Sequence, residues 1–157
     1  MANRINFLTR EGYRKLEAEL SYLRTVRRAE VARRLHRALE EGGEVGENAE
    51  YEDAKNEQSF VEGRIQQLEQ LLSTAQIIDE HEVPPDVVQL GSRVTVQQDG
   101  EDPESYIMVG AAEANPREGR ISNESPLGRA LMGRRVGDEV QVNAPDGVLS
   151  FKIVAIG

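Results

Sequence analysis

The chain has 157 residues, a formal net charge of −9, 4% aromatic residues, no tryptophan and no cysteine. That length suits one or two small domains, and so few large aromatics argue against one bulky core. The negative balance excludes nonspecific nucleic-acid binding by the whole surface, and the lack of cysteine excludes a disulfide scaffold. No signal-peptide core is present and no run approaches about 18 apolar residues, so a soluble cytoplasmic protein without membrane contact is expected.

Phe7-Leu8 leads into Thr9, which reads as a helix N-cap, with Glu11 in the first turn where its charge complements the helix dipole. Apolar residues then recur at Tyr13, Leu16, Leu20 and Leu23, and again at Val31, Leu35 and Ala38. The 3-and-4 spacing is interrupted once, around Arg27-Arg28. Such an arm, roughly 30 residues long, would span about 45–50 Å. Arg24, Arg27, Arg28, Arg33, Arg34 and Arg37 lie along it with one acid among them, Glu30. Either this is a solvated face with local pairs such as Glu30 with Arg34, or it is a strip that meets phosphates or an acidic surface.

The arm ends at Gly42, Gly43 and Gly46, each of which costs about 1 kcal/mol inside a helix. From Glu40 to Asp53 there are seven acids and neither Lys nor Arg. Asn48 is a second N-cap candidate, with Glu50, Glu52 and Asp53 in the opening turns. Ala54, Gln58, Val61, Ile65, Leu68, Leu72 and Ala75 then form a heptad seam. Pairing Leu35 with Ala54, Leu20 with Leu68 and Leu16 with Leu72 keeps the index sum nearly constant, as an antiparallel hairpin requires. Half of that sum falls in the glycine stretch. Residues 1–77 are therefore expected to form an antiparallel coiled-coil hairpin with an acidic tip.

The helical pattern stops between Gln76 and Asp86, where Pro84-Pro85 ends it, and residues 78–157 read as a globular α+β domain. Strands are expected at 92–96, 105–109, 138–142 and 148–154, with Asn143-Ala144-Pro145-Asp146-Gly147 as a hairpin turn. Ser125-Pro126 opens a short helix, with Pro at its first position. His81 is a linker residue by this reading. The domain holds no catalytic constellation and reads as a small antiparallel sheet with one helix, suited to docking.

Glu44 and Glu47 bracket Val45-Gly46 and can converge on one cation. Mg²⁺ typically takes one or two carboxylates together with waters and substrate phosphate. Two carboxylates alone make no tight site, so any ion here would be shared with a partner's active site, as in a two-metal arrangement. The bland alternative is a set of acids decorating a solvated turn and a helix N-terminus.

Gly43-Glu44-Val45-Gly46-Glu47-Asn48-Ala49-Glu50-Tyr51 is followed by Ala54-Lys55 and Phe60-Val61-Glu62-Gly63-Arg64-Ile65. With Leu8-Thr9-Arg10-Glu11-Gly12, Arg24-Thr25-Val26-Arg27-Arg28 and Ser125-Pro126-Leu127-Gly128-Arg129-Ala130-Leu131-Met132-Gly133, this run resembles the bacterial Gre transcript-cleavage (transcription elongation) factors, on the GreA side of that family. The likeness covers the whole chain. It implies a hairpin that enters the secondary channel of RNA polymerase, and a C-terminal domain like that of FK506-binding proteins that docks at the channel mouth. It further implies that the tip acids, Glu44 and Glu47, help hold a second Mg²⁺ in the polymerase active site while backtracked RNA is hydrolysed. The protein would then be an accessory factor, not itself an enzyme, acting as a monomer on polymerase and the nascent RNA 3′ end, with no metal held stably on its own.

By the same resemblance Arg34, Arg37 and Lys55 contact RNA or the channel, Ser125 and Pro126 dock on polymerase, and Gly43, Asn48 and Tyr51 shape the tip. The family's usual tip is Gly-Asp-Leu-x-Glu-Asn, so Glu44 and Val45 depart from it. Glutamate is one methylene longer than aspartate, enough to displace a ligand by about an ångström and to lower the rate on the order of 10²-fold. An alternative is therefore a Gre homologue that occupies the channel and inhibits polymerase without stimulating cleavage. A prolyl isomerase would need an aromatic-lined pocket, which Tyr106 and Phe151 do not supply. For a coiled-coil adaptor, the tip acids would be dispensable.

Overall fold

The structure is a computed structural model that describes residues 5–41, 48–79 and 84–157. Contacts divide it into two compact units, residues 14–74 and residues 1–13 together with 75–157. The sequence places the division between residues 77 and 78. Contacts instead assign the first residues and Ala75–Gln76–Ile77 to the globular unit, for a reason that periodicity does not carry. Strand β1 (Asn6–Thr9) pairs in parallel with strand β2 (Ala75–Ile78), from Asn6 with Ala75 to Thr9 with Ile78.

The helical unit follows the seam. Helix α1 (Arg10–Tyr22) runs through a π-helical turn (Leu23–Arg27) into α2 (Arg28–Glu41), and α3 (Ala49–Ser73) returns alongside. The π turn lies at the interruption visible in the sequence. Leu23 and Val31 stand one residue further apart than a heptad, and the wider turn absorbs that residue so that both remain on the seam. Leu20, Val31, Val61, Ile65 and Leu68 are buried together, with Leu16, Leu23, Leu71 and Leu72 packed against them. Ala38 and Ala54 continue the buried seam on α2 and α3.

Ion pairs cross from arm to arm. The Arg28 guanidinium donates to both oxygens of Glu62 at 2.8 and 2.9 Å, and Arg64 does the same to Glu19 at 2.8 and 3.0 Å. Arg24 meets Glu69, and Arg27 and Arg34 both meet Glu57. The hydrogen bond between Arg28 and Glu62 raises the arginine pKa and lowers that of the carboxyl. Exposed pairs of this kind add little stability, but their partners identify the arms as antiparallel neighbours. One position on α3 lacks a local explanation. Gly63 sits mid-helix at a cost of about 1 kcal/mol relative to Ala, and a Cβ there would meet no heavy atom within 4 Å.

The globular unit holds a five-stranded sheet. Its strands are β3 (Arg93–Gln98), β4 (Glu104–Val109), β5 (Arg120–Ser122), β6 (Glu139–Ala144) and β7 (Gly147–Ile156), in the order β5-β4-β3-β7-β6. The sequence leads one to expect an antiparallel sheet, but the sheet is mixed. β4 and β5 are parallel, because 3₁₀ turns at Ala111–Glu113 and Pro116–Glu118 carry the chain back before β5 begins. β5 is only three residues long, too short for alternation to register. The β6–β7 hairpin closes through Pro145-Asp146, with Ala144 paired to Gly147 at φ 131°. Helix α4 (Pro126–Leu131) contributes Leu131 to a core of Val88, Val94, Val96, Met108, Ile121, Val140, Phe151 and Ile153.

Within this unit a carboxylate holds the start of α1. Glu113 accepts from the Thr9 backbone N–H and the Thr9 hydroxyl, each at 2.6 Å, and from Arg120 at 3.2 Å. Thr9 Oγ1 in turn accepts from the Gly12 N–H at 3.0 Å, which is the N-cap expected from the sequence. A Cβ on Gly12 would stand 2.0 Å from Glu113 Oε1, so only glycine lets the carboxylate approach. The Glu113 side chain is 7% exposed. Removing a buried acceptor leaves its donors unmatched. Glu113→Ala should therefore lower the stability of the globular unit by about 2–3 kcal/mol, read as a lower urea midpoint by near-UV circular dichroism. An unchanged midpoint would show that the contact is incidental.

Candidate functional site

Gly43, Glu44 and Glu47, which the sequence singles out at the tip, lie outside the described residues. What the structure describes is the frame on either side, from the end of α2 at Glu41 to Asn48. Asn48 uses both ends of its amide. Its Oδ1 accepts from the Tyr51 N–H at 3.1 Å, capping α3, and its Nδ2 donates to the Ala38 carbonyl at 2.7 Å on the opposite arm. The residue is 6% exposed. An asparagine can do this because it carries a donor and an acceptor on one short side chain. The sequence reveals the cap but not the bond to Ala38, which depends on the two arms being in contact.

Glu50 and Glu52 occupy the first turn of α3, where the helix dipole favours negative charge. Arg34 lies between the arms and is engaged by Glu57 and, at 3.4 Å, by Glu50. Glu30 pairs with Arg27 at 2.9 Å, where the sequence reading places Arg34. Most of the arginine strip is thus neutralised by acids of the hairpin itself. Arg33 and Arg37 differ: both are exposed and neither has an ion pair among the described residues. The Lys55 ammonium stands 5.9 Å from the centroid of the Tyr51 ring, within cation–π range.

Arg34, Arg37, Ala38, Glu41, Asn48 and Glu50 line an open depression of about 560 Å³ between the arms. It offers guanidinium and carboxylate groups of both signs beside a buried amide. Among the described residues no three His, Cys, Asp or Glu side chains converge as a metal site.

Ser125 and Pro126 are brought together at the start of α4. Ser125 Oγ accepts from the Gly128 N–H at 3.0 Å and donates to the Ser122 carbonyl at 2.7 Å. Its hydroxyl is therefore occupied in shaping the turn. Pro126 is exposed at the first helical position, where its missing N–H costs nothing. A Cβ on Gly128 would come within 1.9 Å of the Ser122 carbonyl oxygen, so glycine is required for the turn to close.

Comparison with known proteins agrees with both halves of this arrangement. Residues 6–77 match the family described as "Transcription elongation factor, N-terminal", and residues 83–157 match "Transcription elongation factor, GreA/GreB, C-term". The transcription elongation factor GreA of Clostridium botulinum is 51% identical over 150 residues, covering 95% of this chain and 93% of that protein. GreA of Acetivibrio thermocellus is 52% identical over 150 residues, covering 95% and 94%. Among solved structures, GreA factor homolog 1 (Gfh1) of Thermus thermophilus is 35% identical, covering 98% of this chain and 99% of that one, with a TM-score of 0.45. With both family regions matched in order and half the residues identical across nearly the full length, the chain belongs to the GreA/GreB family of transcription elongation factors.

Proposed function

We propose that this elongation factor is an accessory protein that inserts its hairpin into the secondary channel of RNA polymerase and stimulates hydrolysis of backtracked RNA. Glu44 and Glu47 supply carboxylate oxygens to a Mg²⁺ ion shared with the polymerase active site, where a second metal stabilises charge on the attacking and leaving oxygens. The chain holds no such ion stably by itself. The observation that carries this reading is the sequence run from Glu44 to Tyr51, which connects two antiparallel helical arms and within which Asn48 caps α3 and bonds to the opposite arm. Pro126, exposed on a turn rigidified by Ser125, is the docking contact of the globular unit, and the site of action is the bacterial cytoplasm.

The test is RNA cleavage in stalled, backtracked polymerase complexes with and without the full chain. Faster shortening of the RNA from its 3′ end is expected. Binding without acceleration, accompanied by slower elongation, would instead identify a channel-blocking regulator. Glu44 in place of the family's usual aspartate would then be the first residue to exchange.

The ion pairs refine the expectation for the basic residues. Arg34 is engaged within the hairpin, whereas Arg37 has no ion pair among the described residues, so Arg37→Ala should weaken the complex more than Arg34→Ala. A lost phosphate contact is most evident at low salt, and a loss of about 3- to 10-fold at 50 mM salt is expected for Arg37→Ala. Equal affinities for both variants at every ionic strength would mean that Arg37 is only solvated.

A further inference from the structure

We propose that Asp99 is a site of spontaneous covalent modification, at which the folded chain converts aspartate to isoaspartate through a cyclic imide formed with Gly100. The inference stands apart from the proposed function. Two Asp-Gly pairs occur in the chain, Asp99-Gly100 and Asp146-Gly147. At either one, glycine leaves the amide nitrogen open to its neighbour's carboxyl because it carries no Cβ. Both pairs lie in exposed turns, so sequence and exposure do not separate them. What separates them is the use each turn makes of the glycine N–H.

Asp99 and Gly100 are the middle residues of a turn closed by the Glu101 N–H on the Gln98 carbonyl at 3.1 Å. Gly100 has φ 80° while Asp99 is not left-handed, the signature of a type II turn with glycine at the position that requires it. In such a turn the middle N–H points away from the closing bond. Among the described residues the Gly100 N–H donates to no acceptor, and the Asp99 carboxyl has no ion pair or hydrogen bond. A Cβ on Gly100 would meet no heavy atom within 4 Å, so the space beside the glycine is open. Gly147 is held differently. It is the first residue of β7 and pairs with Ala144 across the β6–β7 hairpin. The Ile153 N–H donates to the Asp138 carbonyl, and the alternation of an antiparallel ladder then makes Ala144 and Gly147 a hydrogen-bonded pair. The Gly147 N–H must therefore leave the ladder before Asp146 can use it.

The reaction balances with water alone. The Gly100 nitrogen forms a bond to Asp99 Cγ, and the amide proton and the carboxyl hydroxyl leave together as water, giving a five-membered imide. Water then opens the ring at one of its two carbonyls. Opening at Cγ restores aspartate. Opening at the main-chain carbonyl breaks its bond to nitrogen, frees the α-carboxylate and leaves the chain running through the former side chain. Asp99 and Gly100 border an open depression of about 440 Å³ together with Ser150 and Lys152, so water reaches both carbonyls. The product has one more methylene in the main chain of the turn. That displaces Glu101 from the Gln98 carbonyl and from the Gln97 side-chain amide, which donates to the Glu101 carbonyl at 2.9 Å.

The test ages the full chain for weeks in neutral buffer and measures isoaspartate at each site by peptide mapping. The probe is methyl transfer from S-adenosylmethionine by an isoaspartyl carboxyl methyltransferase. A hydrogen bond that must first break slows the attack by about tenfold, so isoaspartate at residue 99 should exceed that at residue 146 by about tenfold. In urea strong enough to unfold the chain both N–H groups are free, and the two sites should react at equal rates. Asp99→Glu keeps the charge but needs a larger ring that closes far more slowly, so it should remove most of the label from the aged native protein. Equal isoaspartate at the two sites in the native chain, or an excess at Asp146, would overturn the assignment, as would undiminished label in Asp99→Glu. A ratio that persists in urea would trace the difference to flanking sequence and overturn the role of the turn.

Discussion

Glu44→Ala and Glu47→Ala proteins should each lose stimulated cleavage while competing with the parent for polymerase almost unchanged. A metal ligand lost from a two-metal site removes several kcal/mol of transition-state stabilisation, which corresponds to a rate loss of about 10²-fold or more. In the sequence both fall in the glycine-broken stretch between the two heptad seams, so the effect on folding should be well under about 1 kcal/mol. The cap at Asn48 and the bond from its Nδ2 to Ala38 do not involve the substituted side chains. Glu44→Asp should retain or improve cleavage, since it shortens the reach of the carboxylate by one methylene, to the family's usual length. Alanine variants that cleave as well as the parent would reduce the tip to a solvated turn.

The second large effect concerns folding. Leu68 is fully buried among Leu20, Val31, Val61 and Ile65. Leu68→Ala removes its methyl groups and leaves a cavity that two long helices can close only partly, so a loss of about 2–5 kcal/mol is expected. For a unit with so few buried apolar residues, that is a large share of total stability. Circular dichroism at 222 nm should show the helical transition at clearly lower temperature. Leu71→Ala, at a half-buried position, should cost less. A loss below about 1 kcal/mol for Leu68→Ala would mean that the seam is not the main support of the hairpin.

Much of this architecture is legible in local sequence. Thr9, Asn48 and Ser125 are all recognisable as helix caps, and in each the side-chain oxygen accepts a backbone N–H as expected. The interruption at Arg27-Arg28 marks the π turn, because a phase slip in a heptad has a geometric consequence. The seam and the glycine break agree on one centre, and that agreement identifies the hairpin.

What escapes the sequence is long-range. The pairing of β1 with β2 joins segments separated by the whole hairpin, and Glu113 reaches Thr9 across 104 positions. No local pattern encodes either contact. The arginine strip illustrates the same limit from another side. Read along one arm it is a run of cations, but Glu57, Glu62 and Glu69 on the other arm neutralise most of it.

The most direct test of the shared-metal account is a Mg²⁺ titration of RNA cleavage in backtracked complexes, run with polymerase alone, with the parent and with Glu47→Ala. If the tip carboxylates hold the second ion, the parent should lower the Mg²⁺ concentration for half-maximal cleavage by about tenfold, equivalent to ~1.4 kcal/mol, and Glu47→Ala should return it to the polymerase value. Identical Mg²⁺ dependence in all three, whatever the maximal rates, would contradict it.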